Sequence, residues 1–178
     1  MNISIIRPQK KDTSKIEQLF KKVITQTFKD CGFYEKYRKD IDYEVGKQKV
    51  VLKQDFDTNG KEAYFLIACD DKKIIGTLAY GKASPDIENY SEGKLKDVPE
   101  IISAYVLPDY QGKGVGSKLF DAIVKALKKQ GYKEFCLDSG YPKAQKYWSK
   151  KIGEPVIRIK NRWGAGNDYL IWHHKILE

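Results

Sequence analysis

The chain is poor in the residues that announce a disulfide scaffold, a metal site or a membrane anchor. Its three cysteines, Cys31, Cys69 and Cys136, are odd in number and far apart, which fits neither a disulfide framework nor a zinc-ligand spacing. Each is expected to be a small buried hydrophobe. The two histidines, His173 and His174, are neighbours on a strand-like segment and should point to opposite faces, so no metal is expected. No apolar run nears the roughly 18–20 residues that span a bilayer, the longest being Tyr64 to Cys69. Met1 to Lys10 lacks the apolar stretch of a secretory leader, and a soluble protein of a reducing cytoplasm is expected. Only four of the 33 basic residues are arginine (Arg7, Arg38, Arg158, Arg162), which argues against a protein that reads base edges through arginine's planar fork.

What is present reads as one globular domain over residues 1–178, with 41% hydrophobic and 32% charged residues. The net charge of +9 is unevenly spread. Residues 101–178 hold 14 basic and 7 acidic side chains, while residues 1–100 hold 19 and 17. Whatever the positive charge serves therefore belongs mainly to the second half.

Patterning supplies the element order. Ile3 to Arg7 reads as a strand closed by Pro8, and Asp12 and Thr13 as caps for a helix whose apolar positions Ile16, Leu19, Phe20, Val23, Ile24 and Phe28 share one face. A weaker helix is expected over Phe33 to Gln54, interrupted at Gly46. Ala63 to Cys69 and Lys73 to Tyr80 read as a hairpin about Asp70-Asp71-Lys72. Gly81 to Asp97 reads as a long polar connection, of a length more often functional or disordered than idle. A strand at Glu100 to Val106, a helix at Gly116 to Lys129, a strand at Tyr132 to Leu137, a helix at Pro142 to Lys151 and strands near Val156 to Ile159 and Tyr169 to Ile176 complete the order. The expected fold is α+β, with mixed α/β layers in the order β-α-α-β-β-β-α-β-α-β-β and a central mixed sheet flanked by helices. Lys160 to Asp168, with Arg162 and Trp163, is a glycine-rich loop open to whatever docks there.

Most chemical information lies in Val106 to Leu119. A strand stops, a glycine-dense loop turns, and an amphipathic helix begins. Glycines at 112, 114 and 116 allow unusual backbone angles, so successive N–H groups can converge on an anion. The helix N-terminus adds unpaired N–H groups and partial positive charge, and Ser117 adds a hydroxyl. A phosphate or pyrophosphate is the expected ligand. A Walker loop is excluded because no Gly-Lys-Ser or Gly-Lys-Thr occurs. A dinucleotide fingerprint is better matched, through Gly112-x-Gly114 and Asp138, but Ser117 stands at the third glycine position and one helix crossover replaces the several that fold needs.

Gln111-x-x-Gly114-x-Gly116, preceded by Val106-x-Pro108 and followed by Ser117-x-Leu119, resembles the signature of the GNAT N-acetyltransferase superfamily, and the element order is similar across essentially the whole chain. The resemblance implies an acetyl-CoA-dependent enzyme acting on a primary amine, with acetyl-CoA as co-substrate and direct attack in a ternary complex. It implies that Gln111, Gly112, Lys113, Gly114, Val115, Gly116 and Ser117 hold the CoA pyrophosphate, chiefly through backbone N–H groups. It implies that the backbone N–H of Val106, at the bulged end of its strand, polarises the thioester carbonyl. The resemblance also implies that Ala144, in the later helix, belongs to the same cofactor site. Lys113 and Lys118 would favour the CoA phosphates, whereas Lys125, Lys128 and Lys129 read as a solvated helix face. A homodimer is compatible with this family.

The chemistry also needs a base. An alkylammonium with a pKa of about 10.4 costs roughly 4–5 kcal/mol to deprotonate at neutral pH. Glu100 sits where some family members carry that base, with strand parity matching Ile102, Ala104 and Val106. The acid that protonates the leaving thiolate is expected at Tyr147, because Trp148 stands where the family's tyrosine is usual. Tyr141 replaces an asparagine that often contacts the pantetheine arm. Trp148 also keeps open an alternative, a catalytically weak CoA-binding regulatory module; a lysine-rich nucleic-acid binder is the more distant rival.

Overall fold

A computed structural model describes residues 2–176. Seven strands hydrogen-bond in the order β1-β2-β3-β4-β5-β7-β6, where β1 is Ile3–Ile6, β2 Ala63–Asp70, β3 Lys73–Gly81, β4 Glu100–Val106, β5 Glu134–Ser139, β6 Ile157–Ile159 and β7 Tyr169–Lys175. The pairs β1–β2, β5–β7 and β6–β7 are antiparallel and β4–β5 is parallel, so the sheet is mixed. Five helices flank it: α1 Thr13–Asp30, α2 Arg38–Thr58, α3 Pro85–Tyr90, α4 Val115–Lys129 and α5 Pro142–Ile152. The backbone groups into two compact units, residues 1–80 with 102–126, and residues 81–101 with 127–178.

In the first unit α1 buries Ile16, Leu19, Phe20, Val23, Ile24 and Phe28, the expected stripe. Phe20 meets Phe65 of β2 and Tyr105 of β4 at ring distances of 6.3 and 5.5 Å. Each such side chain, fully buried, contributes roughly 2–3 kcal/mol. Unlike the expectation, α2 starts at Arg38 and runs unbroken through Gly46, whose missing Cβ faces open space. A mid-helix glycine costs about 1 kcal/mol against alanine, too little to break a helix held by Ile41, Val45 and Leu52. Arg7 donates to the Phe65 carbonyl at 2.7 Å and pairs with the fully buried Asp55 at 2.7 Å. Burial pushes the Asp55 carboxyl above the usual carboxylate range, outweighing the opposing pull of Arg7.

The second unit contains the segment expected to be only a polar connection. Residues 85–90 form α3, with Pro85 in its first turn and the Ser84 hydroxyl accepting from the Ile87 N–H at 3.4 Å. The segment buries Ile87, Leu95 and Val98 against Cys136, Tyr169 and Ile171. Strand β5 starts at Glu134 and ends at Ser139, two residues later than the pattern suggested at each end. His173 Nε2 lies 3.0 Å from Glu134 Oε2 and His174 packs on the Phe135 ring, so the two imidazoles have separate surroundings.

Candidate active site

The turn from β4 into α4 is built by hydrogen bonds that start at the strand end. The Leu107 N–H donates to Ile75 O at 2.9 Å, and the Tyr110 and Gln111 N–H groups close a short 3-10 turn on Leu107 O and Pro108 O. Gln111 Nε2 then reaches back to Val106 O at 3.0 Å, tying the loop to the strand. Gly112 and Gly114 have φ of 73° and 80°, a left-handed backbone that costs a side-chain-bearing residue about 1–2 kcal/mol. A Cβ at either would meet nothing within 4 Å, so the loop's outer surface is bare backbone.

Lys118 N donates to Gly114 O at 3.1 Å, which makes Gly114 the first carbonyl of the helical ladder. The N–H groups of Val115, Gly116 and Ser117 therefore precede the first intrahelical bond, where helices present donors and partial positive charge. Gly116 and Ser117 lie within the first turn of α4 rather than in the loop. Val115 is 1% exposed, so it packs into the protein at the base of the turn. Gly112, Lys113 and Gly114 are exposed. The ammonium groups of Lys113 and Lys73 lie 5.7 and 5.0 Å from the Tyr110 ring centroid. Lys73 is a cation at this loop that sequence reasoning missed, because it lies on β3, about forty residues away.

Strand β4 is irregular. Ser103 is 6% exposed and has φ of 55°, in the middle of a strand. The irregularity therefore lies three residues before Val106, and it interrupts the period-2 parity on which Glu100 was aligned with Val106. Gly76 of β3 lets the strand end approach: a Cβ there would stand 3.0 Å from Tyr105 O and 3.3 Å from Val106 Cγ2.

In the second unit Glu100 is 4% exposed, and its Oε2 accepts from the Ser84 N–H at 2.5 Å. It pairs with Cys136 across β4–β5. Tyr169 donates its hydroxyl to Asp138. Burial, then Asp138, Asp86 and Glu100, drive the Tyr169 phenol upward, and burial followed by Glu100 does the same to the Cys136 thiol. Both groups stay protonated at neutral pH. The Asp138–Tyr169 contact is not legible in the sequence, because it depends on the antiparallel pairing of β5 with β7, which sequence spacing does not give.

On α5 it is Trp148 that is buried, while Tyr147 is half-buried with its ring edge-on to Trp148 at 4.8 Å. The Tyr147 hydroxyl is enclosed and has no hydrogen-bond partner among the described residues. Ala144 is half-buried in the same helix. Gln145 Nε2 donates to Ser139 O and Asp168 O at 2.9 and 2.8 Å, joining α5 to the end of β5 and to the 160–168 loop. Trp163 of that loop lies so close over Gly140 that a Cβ there would be 2.7 Å from its indole nitrogen. Among the described residues no cluster of His, Cys, Asp or Glu is placed to hold a metal ion, and no helix is long and apolar enough to cross a membrane.

The family model described as Acetyltransferase (GNAT) family matches residues 18–153, a span holding the glycine loop, α4 and α5. The chain belongs to the GNAT acetyltransferase family. The fold is similar to that of PaiA N-acetyltransferase from Thermoplasma acidophilum in complex with coenzyme A, at a TM-score of 0.71 and 20% identity over 98% of this chain and 99% of that one. An N-acetyltransferase from Staphylococcus aureus Mu50 is similar at a TM-score of 0.67 and 16% identity, covering 99% and 100% of the two chains. The acetoin utilization protein AcuA of Bacillus subtilis (strain 168) is 32% identical over 71 residues, which span 40% of this chain and 33% of that relative.

The bare, left-handed backbone at Gly112 and Gly114 and the donor-rich first turn of α4 suit a pyrophosphate. The Tyr147 hydroxyl, without a hydrogen-bond partner among the described residues, suits a polar atom supplied from outside the chain.

Proposed function

We propose that this protein is an acetyl-CoA-dependent N-acetyltransferase that moves the acetyl group to a primary amine by direct attack in a ternary complex. The observation that carries this reading is the Gln111–Ser117 turn, a left-handed glycine loop running into the first turn of α4, whose N–H groups precede the first intrahelical bond. Acetyl-CoA would supply the activated thioester. Gly112 to Ser117 would hold its pyrophosphate through backbone N–H groups, with Lys113 and Lys73 adding charge and Ala144 lying beside the rest of the cofactor. The Val106 N–H would donate to the carbonyl oxygen as negative charge develops there.

Glu100 would take the proton of the attacking ammonium, directly or through water. Its burial and the backbone N–H of Ser84 hold the carboxylate in one place. Tyr147 would give a proton to the departing sulfur, which needs an enclosed hydroxyl not already committed to a protein acceptor. The carboxylates of Glu100, Asp138 and Asp86 around Tyr169 favour a cationic acceptor over an anionic one.

Isothermal titration with CoA and acetyl-CoA, followed by thiol release over a panel of amines, tests this. Saturable CoA binding with amine-dependent thiol release is expected. CoA binding without release from any amine would favour a regulatory module, and no CoA binding would end the reading.

A further inference from the structure

Ser103 is a serine in a conformation that favours glycine, and two side chains hold it there. Its carbonyl accepts from Thr77 Oγ1 at 2.8 Å, and its own hydroxyl donates to Gln48 Oε1 at 2.6 Å. Thr77 lies on β3 and is buried. Gln48 lies on α2, on the stripe that also buries Val45 and Leu52. All three belong to the first compact unit, so the contact joins the second helix to the interior of β4. In an extended strand a serine takes the β region, and successive N–H groups alternate in direction.

Relaxing Ser103 into that region would restore the regular pleat and turn the N–H groups of Ala104 to Val106 away from their present directions. That stretch leads into the Gln111 turn through the Gln111 Nε2 to Val106 O bond. Gly76, which has no side chain to obstruct Tyr105 O, leaves room for the irregular path but does not enforce it.

We propose that Gln48 and Thr77 are positioning residues for acyl transfer, holding Ser103 in the left-handed conformation that sets the direction of the Ala104–Val106 backbone donors. This rests on the acetyltransferase reading above and adds to it a dependence of the chemical step on α2. Neither residue touches the reacting atoms. Loss of one oxyanion donor slows acyl transfer by about 100- to 1,000-fold; a misdirected but still present donor should cost about 10- to 100-fold.

The test compares Gln48→Leu, Gln48→Glu, Ser103→Ala and Ser103→Gly with the wild type in three readouts: CoA affinity by titration, kcat and KM for thiol release, and amide hydrogen exchange over residues 103–106. Gln48→Leu and Ser103→Ala should lower kcat about 10- to 100-fold and speed exchange at 103–106. CoA affinity should change less than about twofold, because the Gly112–Ser117 loop is intact. Gln48→Glu, which keeps an acceptor oxygen, and Ser103→Gly, which takes a positive φ unaided, should recover most of that turnover. Unchanged kcat in Gln48→Leu would overturn the proposal, as would Ser103→Gly being as slow as Ser103→Ala. Should Gln48→Leu fail to fold, the Ser103 pair decides alone. A wild type that binds no CoA and releases no thiol overturns the acetyltransferase reading and this inference with it, whereas an active wild type with insensitive variants overturns only the inference.

Discussion

The buried carboxylate of Glu100 accepts a 2.5 Å hydrogen bond from the backbone N–H of Ser84, the residue that caps α3. A strand residue and a helix-capping residue sixteen positions apart thus meet at one carboxylate, and the segment expected to be a long polar connection supplies the donor. If Glu100 is the base, Glu100→Gln keeps the shape and removes the proton acceptor. Turnover at neutral pH should fall at least about 100-fold, with CoA affinity unchanged by titration. Equal turnover would remove Glu100 from the chemistry.

Tyr147→Phe should separate activity from stability. The hydroxyl is buried without a partner among the described residues, a state that costs about 1–3 kcal/mol. Removing it should raise the melting temperature or leave it unchanged, while kcat falls about tenfold or more. A variant that is both less stable and fully active would assign Tyr147 to packing.

Gly114→Val should abolish CoA binding measurable by titration. The side chain would project from the bare surface of the loop, and a β-branched residue at φ 80° is strained by at least about 1–2 kcal/mol. Far-UV circular dichroism should stay close to wild type, since no other atom lies within 4 Å of the new Cβ. Unaltered CoA affinity would place the cofactor elsewhere.

Arg7→Ala tests the buried pair with Asp55. It should cost about 3 kcal/mol at pH 7, at the low end for such pairs because Arg7 keeps partial solvent access. Asp55 is already raised in the folded protein, so its stabilising contribution is complete below the unfolded carboxylate range and is lost as pH rises through the folded value. Losing Arg7 raises that value further. The difference from wild type, read by denaturant melts, should be widest near neutrality and narrow toward about pH 4; a difference that widens in acid would contradict this.

The elements that local chemistry controls were legible in the residues. The α1 stripe, the β2–β3 hairpin and the β4 boundaries follow from side-chain period and turn residues, and the structure has them where the pattern put them. The short α3 was passed over although Ser84 and Pro85 mark its start, because a six-residue helix shows too little periodicity to register. The start of α2 and its passage through Gly46 were misjudged because packing against α1 and β2, not propensity, decides them.

The Gln111–Ser117 turn was determined by sequence alone, since glycines and a following amphipathic helix encode a donor-rich loop through backbone physics that needs no distant partner. The family follows from that same stretch. Ser103 is different: nothing in Ser-Ala-Tyr-Val foretells a left-handed serine, and its partners Gln48 and Thr77 are brought in from α2 and β3. The Tyr169 bond to Asp138, the capture of Glu100 by Ser84 and the burial of Trp148 instead of Tyr147 were likewise decided by tertiary structure. Each depends on which strands and helices become neighbours, and on which polar atoms that packing removes from water.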